Sequence, residues 1–179
     1  DLAAKIGVET SKEYRAAGVT ALLGPQIDIA GAAMKRAGGT YGEDPQLTLD
    51  IATAYVNAMQ STYDEKGEDL GWGEESVFCF TKHYAGAGAT EGGRDDHHYT
   101  TRYAVFPGNN LEAHLIPFFD GMFKLPGKTG SAGIMTQYSV NVDGEGNPYG
   151  GEELAGAYDA YMYGMLDEAG YDSLKITDW

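Results

Sequence analysis

Four short apolar runs, at 19–29, 77–80, 132–138 and 174–179, alternate along the chain with stretches of helical period. No other feature constrains the fold as tightly. The first helix is expected over 1–18, with Leu2, Ile6, Tyr14 and Ala17 apolar and Gly18 as its stop. A second is expected over 45–60, where Leu47, Ile51, Ala54, Tyr55, Ala58 and Met59 recur at helical spacing and Asp44-Pro45 supplies a cap and a first-turn proline. A third is expected over 111–123 behind an Asn109-Asn110 cap, and a long fourth over 152–169, closed by Gly170, with Tyr158, Tyr161, Met162, Met165 and Leu166 on a core-like stripe. Segment 61–75 reads as a charged linker and 141–151 as a polar turn region. Strands that alternate with helices form parallel α/β sheets. About four strands fit, whereas a closed eight-stranded barrel needs about 250 residues. Residues 1–179 are therefore read as a single partial (β/α)-barrel domain, truncated at both ends.

Charge narrows the choice of partner. Twelve Lys and Arg against 27 Asp and Glu leave a net charge of −15, a field that repels nucleic acid. No apolar run approaches the roughly 18 residues of a membrane span. The single cysteine, Cys79, lies among phenylalanines and reads as a small core hydrophobe.

The stretch 77–98 concentrates the chemistry. An apolar run ends abruptly in Lys82-His83, a glycine-rich loop follows, and the loop closes on Arg94, Asp95, Asp96, His97 and His98. Polar groups at the carboxyl end of a short strand are how α/β folds present a ligand site, although a solvated loop after a core strand has the same polarity. Neighbouring histidines without HxxxH or CxxC spacing argue against a metal site, and the glycines match no phosphate-loop pattern, so neither metal nor cofactor is expected.

If the strands run parallel, their carboxyl ends share a rim. That rim collects Asp28, Arg36, Lys82, His83, Tyr138, Asp178 and Trp179. Hydrogen-bond donors and aromatic faces around an acid suit an uncharged, hydroxylated ligand. Asp178 is either a loop or cap acid, or a nucleophile toward an anomeric carbon.

The ordered series GVTALLGPQIDI, Arg36 shortly before GEDP, KHYAGAG…EGGRD, PGNNLEAHLIPF, IM..Y with its DGEGNP turn, and the terminal TDW resembles the barrel domain of glycoside hydrolase family 3. That resemblance implies a retaining, exo-acting β-glycosidase, most simply a β-glucosidase, with Asp178 as its nucleophile. It implies that Arg36, Lys82 and His83 hold sugar hydroxyls, that Met135 and Tyr138 line the pocket, and that Trp179 packs beside the sugar. The implied partners are an oligosaccharide or β-glucoside and the remainder of the enzyme, which would carry the acid/base, or else a complementary chain. Export to the periplasm or medium follows the family tendency.

The chain departs from the family where AAMKR replaces the usual PRWGR-like segment and Gly39 stands in place of Glu. A second branch, the β-N-acetylglucosaminidases, uses an Asp-x-His dyad after Lys-His, and Asp95-Asp96-His97 has that spacing, although Gly86-Ala87-Gly88 replaces the branch's usual GHG. A non-catalytic carbohydrate-binding fragment and a scaffold chain that completes its barrel with a partner are the competing classes.

Overall fold

The computed structural model describes residues 2–31 and 33–178. In chain order the main elements are α1 (Leu2–Ala16), β1 (Ala21–Leu22), α2 (Pro45–Gln60), β2 (Thr62–Tyr63), β3 (Asp69–Gly71), β4 (Phe78–Tyr84), β5 (Tyr103–Phe106), α3 (Leu111–Ile116), β6 (Gly133–Thr136), β7 (Val140–Asp143), α4 (Ala160–Glu168) and β8 (Leu174–Ile176). The expected parallel sheet forms from four of these strands in the order β1-β4-β6-β8, each pair parallel. The fold is thus an α/β arc of a (β/α)-barrel.

Register decides which residues share a face. Ala21 pairs with Phe78, Phe80 with Gly133, Lys82 with Met135, Gly133 with Leu174 and Met135 with Ile176. One face therefore carries Phe78, Phe80 and Leu174 toward the amino ends and Lys82 and Met135 toward the carboxyl ends. The opposite face, with Cys79 and Ile134, packs against the helices through Val56, Met59, Phe118, Met122 and Leu166. Burial pushes the Cys79 thiol up to about 12, so it stays an un-ionised core group. Gln60, fully buried at the end of α2, joins two strands: its Oε1 accepts from the backbone N–H groups of Cys79 and Ala132, and its Nε2 donates to the Gly130 carbonyl.

Helix α2 begins where the sequence predicts. Asp44 accepts from the Leu47 N–H at 2.8 Å, and Pro45 occupies the first turn. Other elements differ. The run 19–29 yields only two ladder residues because Gly24-Pro25 interrupts it, and pairing resumes at a single bridge between Gln26 and Lys82. Asn110 precedes α3 without a side-chain cap bond, and the helix continues past Ile116 as a π turn over Pro117–Gly121. The linker contains the β2–β3 hairpin.

The long helix expected over 152–169 shortens to α4. Gly156 lies against the Gln137 carbonyl, and Asp159 caps the helix by accepting from the Tyr161 and Met162 N–H groups. Tyr158 and Tyr161, expected in the core, are exposed. The supposed turn region opens with β7, which pairs in parallel with β5 over four register positions and joins the loops that follow β4 and β6. No helix among the described residues is long and apolar enough to cross a membrane.

Candidate active site

The loop after β1 is held against β4 by backbone bonds. The Lys82 N–H donates to the Pro25 carbonyl at 3.1 Å, and the Ile27 N–H donates to the Lys82 carbonyl at 2.7 Å. This clamp places Asp28 beside His83. The Asp28 carboxylate has no solvent exposure and lies 2.8 Å from His83 Nδ1 through Oδ2. Its Oδ1 accepts from the His83 backbone N–H at 3.3 Å, and Oδ2 also accepts from Gln26 Nε2 at 2.8 Å. The Lys82–His83 peptide bond is cis, and the ladder with β6 shifts register between Lys82 and Tyr84.

Arg36 precedes a single 3-10 turn, Ala37–Gly39, and lines a small cleft with His83, Gln26, Asp95 and Asp96. Glycines let the contributing loops approach this closely. The Gly31 N–H donates to the Gly88 carbonyl and the Lys35 N–H to the Gly93 carbonyl, both at 3.1 Å. A Cβ on Gly88 would lie 1.9 Å from the Ile29 carbonyl oxygen, and one on Gly93 would lie 1.8 Å from that of Ala33. The glycine-rich stretch is therefore a packing device between two rim loops.

Lys82 feels the site's charges together. Burial, then the Arg36 guanidinium, pull its ammonium below the ordinary lysine value, while the carboxylates of Asp178 and Asp28 push it back up. Tyr138, just past β6, donates from its hydroxyl to Asp178 Oδ2 at 2.7 Å. Asp178 itself has φ of 72°, a left-handed conformation uncommon outside glycine. Met135 is only 2% exposed, packed between its register partners Lys82 and Ile176. Trp179 lies outside the described residues.

The loop carboxylates form a second group. Asp95 Oδ1 lies 2.5 Å from His97 Nδ1 and also accepts the His97 backbone N–H. Partial burial works to raise the Asp95 carboxyl, but the hydrogen bonds from His97, with the charges of His97 and Arg36, hold it below the usual carboxylate range. Asp96, nearly buried, accepts from the Tyr138 N–H at 3.4 Å, and the His97 ring stands edge-on to the Tyr138 ring at 5.1 Å. One ligand atom from each of Asp95, Asp96 and His97 falls within 4.8 Å of the others, an arrangement that the spacing rules did not anticipate.

The structure thus gathers Arg36, His83, Asp95 and Asp96 around one cleft with Asp28 beside His83, while Tyr138 links Asp178 to His97 and Lys82 feels Arg36, Asp28 and Asp178 together. Sequence reasoning placed Asp28 on the rim without its bond to His83, and it missed Gln26 altogether. A polar residue two positions before an acid in an apolar run was the available signal.

Residues 1–152 match the family model described as the Glycosyl hydrolase family 3 N terminal domain. The chain is 36% identical over 173 residues to a periplasmic beta-glucosidase/beta-xylosidase of Dickeya chrysanthemi, covering 94% of this chain and 24% of that protein. It is 33% identical over 173 residues to beta-glucosidase C of Emericella nidulans, again covering 94% of this chain and 25% of the relative. Among solved structures, a beta-glucosidase involved in saponin metabolism from intestinal bacteria superposes with a TM-score of 0.76 at 25% identity, over 99% of this chain and 21% of that one. A β-glucosidase from Erythrobacter marinus gives 0.75 at 23% identity, over 100% of this chain and 21% of that one. The chain spans about a quarter of the length of the curated relatives it matches.

Proposed function

Because this chain belongs to glycosyl hydrolase family 3, we propose that it supplies the sugar pocket and nucleophile of an exported, exo-acting β-glycosidase, with β-glucosides as substrates and β-xylosides as the next class. The observation that carries this reading is the Asp178 carboxylate at the carboxyl end of the parallel sheet, held by the Tyr138 hydroxyl at 2.7 Å and facing the Lys82 charge.

The chemistry is a double displacement. Asp178 attacks the anomeric carbon as the glycosidic bond breaks, and an acid outside this chain protonates the departing oxygen. Water then attacks the glycosyl ester from the face the leaving group vacated, giving its proton to the same group, now a base, and releasing the sugar with net retention. Positive charge develops on the ring in both steps. Lys82 and Arg36 donate to the hydroxyls, His83 binds one through its ring and together they hold the sugar in place, and contacts that strengthen in that state lower the barrier. The relative from Dickeya chrysanthemi is periplasmic by its name, which supports export.

A 2-deoxy-2-fluoro-β-glucoside with a good leaving group tests this in the natural polypeptide that carries the chain. The expected result is one fluoroglucosyl adduct on the peptide containing Asp178. An adduct on another residue, or inverted product, overturns the reading.

The Asp95–His97 pair supports a second reading, because a carboxylate 2.5 Å from an imidazole is the geometry of a general acid/base dyad. On that reading the enzyme is a β-N-acetylglucosaminidase. Faster turnover of aryl N-acetylglucosaminides than glucosides, lost in His97→Ala, would favour it.

A further inference from the structure

We propose that Asp28 is a positioning residue that locks the His83 ring with Nδ1 protonated, so that Nε2 is the atom offered to a hydroxyl of the bound sugar. The inference rests on the sugar-pocket reading above.

An ionised carboxylate only accepts hydrogen bonds, so the ring nitrogen 2.8 Å from Asp28 Oδ2 must carry the proton. The same carboxylate accepts the His83 backbone N–H through its other oxygen, so ring and main chain of one residue share one anchor. Gln26 adds a third donor, and its carbonyl Oε1 sits where a Cβ on Gly39 would come within 2.9 Å. The side chains of Asp28 and His83 are 0% and 3% exposed, so water does not compete for these bonds. Beyond His83, Asp28 acts on Lys82 and His114: burial holds both below their ordinary values, and the Asp28 carboxylate pushes against that shift. An imidazole held at Nδ1 and by its own backbone keeps Nε2 in a fixed direction, and His83 lines the cleft beside Arg36. Fixing the direction of one donor or acceptor against a substrate hydroxyl is the kind of placement whose loss costs about 100-fold in rate.

Three measurements decide the matter. In the 179-residue chain labelled with 15N-histidine, the His83 ring should show an Nδ1–H signature, and Asp28→Asn should shift it toward Nε2–H. In the natural polypeptide, Asp28→Asn should lower kcat/KM on an aryl β-glucoside about 10- to 100-fold, mostly through kcat. In a His83→Ala background, Asp28→Asn should cost nothing further, since it acts through the ring. Gln26→Met, which keeps the volume and removes one donor, should give a smaller loss of the same kind. A wild-type His83 already in the Nε2–H form overturns the proposal, as does an Asp28→Asn loss of equal size with and without His83. A polypeptide that turns over no β-glycoside sinks the glycosidase reading alone, because the ring signature still reports whether Asp28 controls His83.

Discussion

The Tyr138 hydroxyl donates to Asp178 Oδ2 at 2.7 Å, joining the loop after β6 to the end of β8. The same tyrosine ring stands edge-on to His97 at 5.1 Å. One side chain therefore spans from the proposed nucleophile to the loop dyad. Hydrogen bonds to charged groups contribute about 1.5–3 kcal/mol, and 1.4 kcal/mol is about tenfold in rate. Tyr138→Phe should thus lower kcat/KM on an aryl β-glucoside about 10- to 100-fold in the natural polypeptide, with the far-ultraviolet circular dichroism unchanged.

Gly88→Ala should weaken the rim before it touches any charged group. The new methyl would meet the Ile29 carbonyl oxygen at 1.9 Å, so the backbone of one loop must move. Overpacking of this kind costs about 1–3 kcal/mol. Urea unfolding of the chain should show a lower midpoint with an unchanged slope. Gly18→Ala, at a turn where a Cβ meets nothing within 4 Å, isolates the cost of positive φ for comparison.

Asp159 is a cap under tension. Burial raises its carboxyl above the usual value, against two backbone N–H bonds that favour the charge. A raised native value means that the folded state binds the proton more tightly than the unfolded chain. Its contribution is complete below the ordinary carboxylate value and is lost as pH rises through the native one. Asp159→Asn keeps a good cap without the charge and should hold or raise the melting temperature at pH 7. Asp159→Ala should cost about 1 kcal/mol.

Asp95 has the opposite sign. Its carboxyl sits below the ordinary range, so the stability it lends the loop is present above the usual carboxylate value and is lost as pH falls through its native one. Protection of the amides at 94–98 against exchange, taken relative to the intrinsic rate at each pH, should fall below about pH 4, the ordinary carboxylate range. Asp95→Asn should show fast exchange at neutral pH as well.

Local chemistry was legible in the sequence, and long-range pairing was not. Asp44-Pro45 announced α2 to the residue, because a cap and a first-turn proline act within four positions. Lys82-His83 was legible as the end of a strand, and the four-strand sheet followed from the alternation of runs and helices. The β5–β7 ladder was missed because its partners are 37 positions apart at Tyr103 and Val140 (140 − 103), and neither four-residue strand is long enough to show a period of its own. The helix at 152–169 was overextended because its tyrosines matched a helical stripe, while Asp159, a cap in the middle of that stripe, was passed over. Asp28 was read as one more rim acid, since its place beside His83 is set by backbone bonds from Pro25 and Ile27 to Lys82, which no periodicity describes.

The β5–β7 ladder has a consequence for how such a protein can diversify. Each strand belongs to a different rim loop, and their four registered pairs bind the two loops into one ribbon. An insertion within either strand would slide every partner on the other and turn its side chains over. Lineages that inherit this arrangement can lengthen the rim only outside the paired segments, in the tip near Tyr99 or the turn after Asp143. Insertions at those places would reshape the rim around the His97 and Tyr138 rings while leaving the four registered pairs intact.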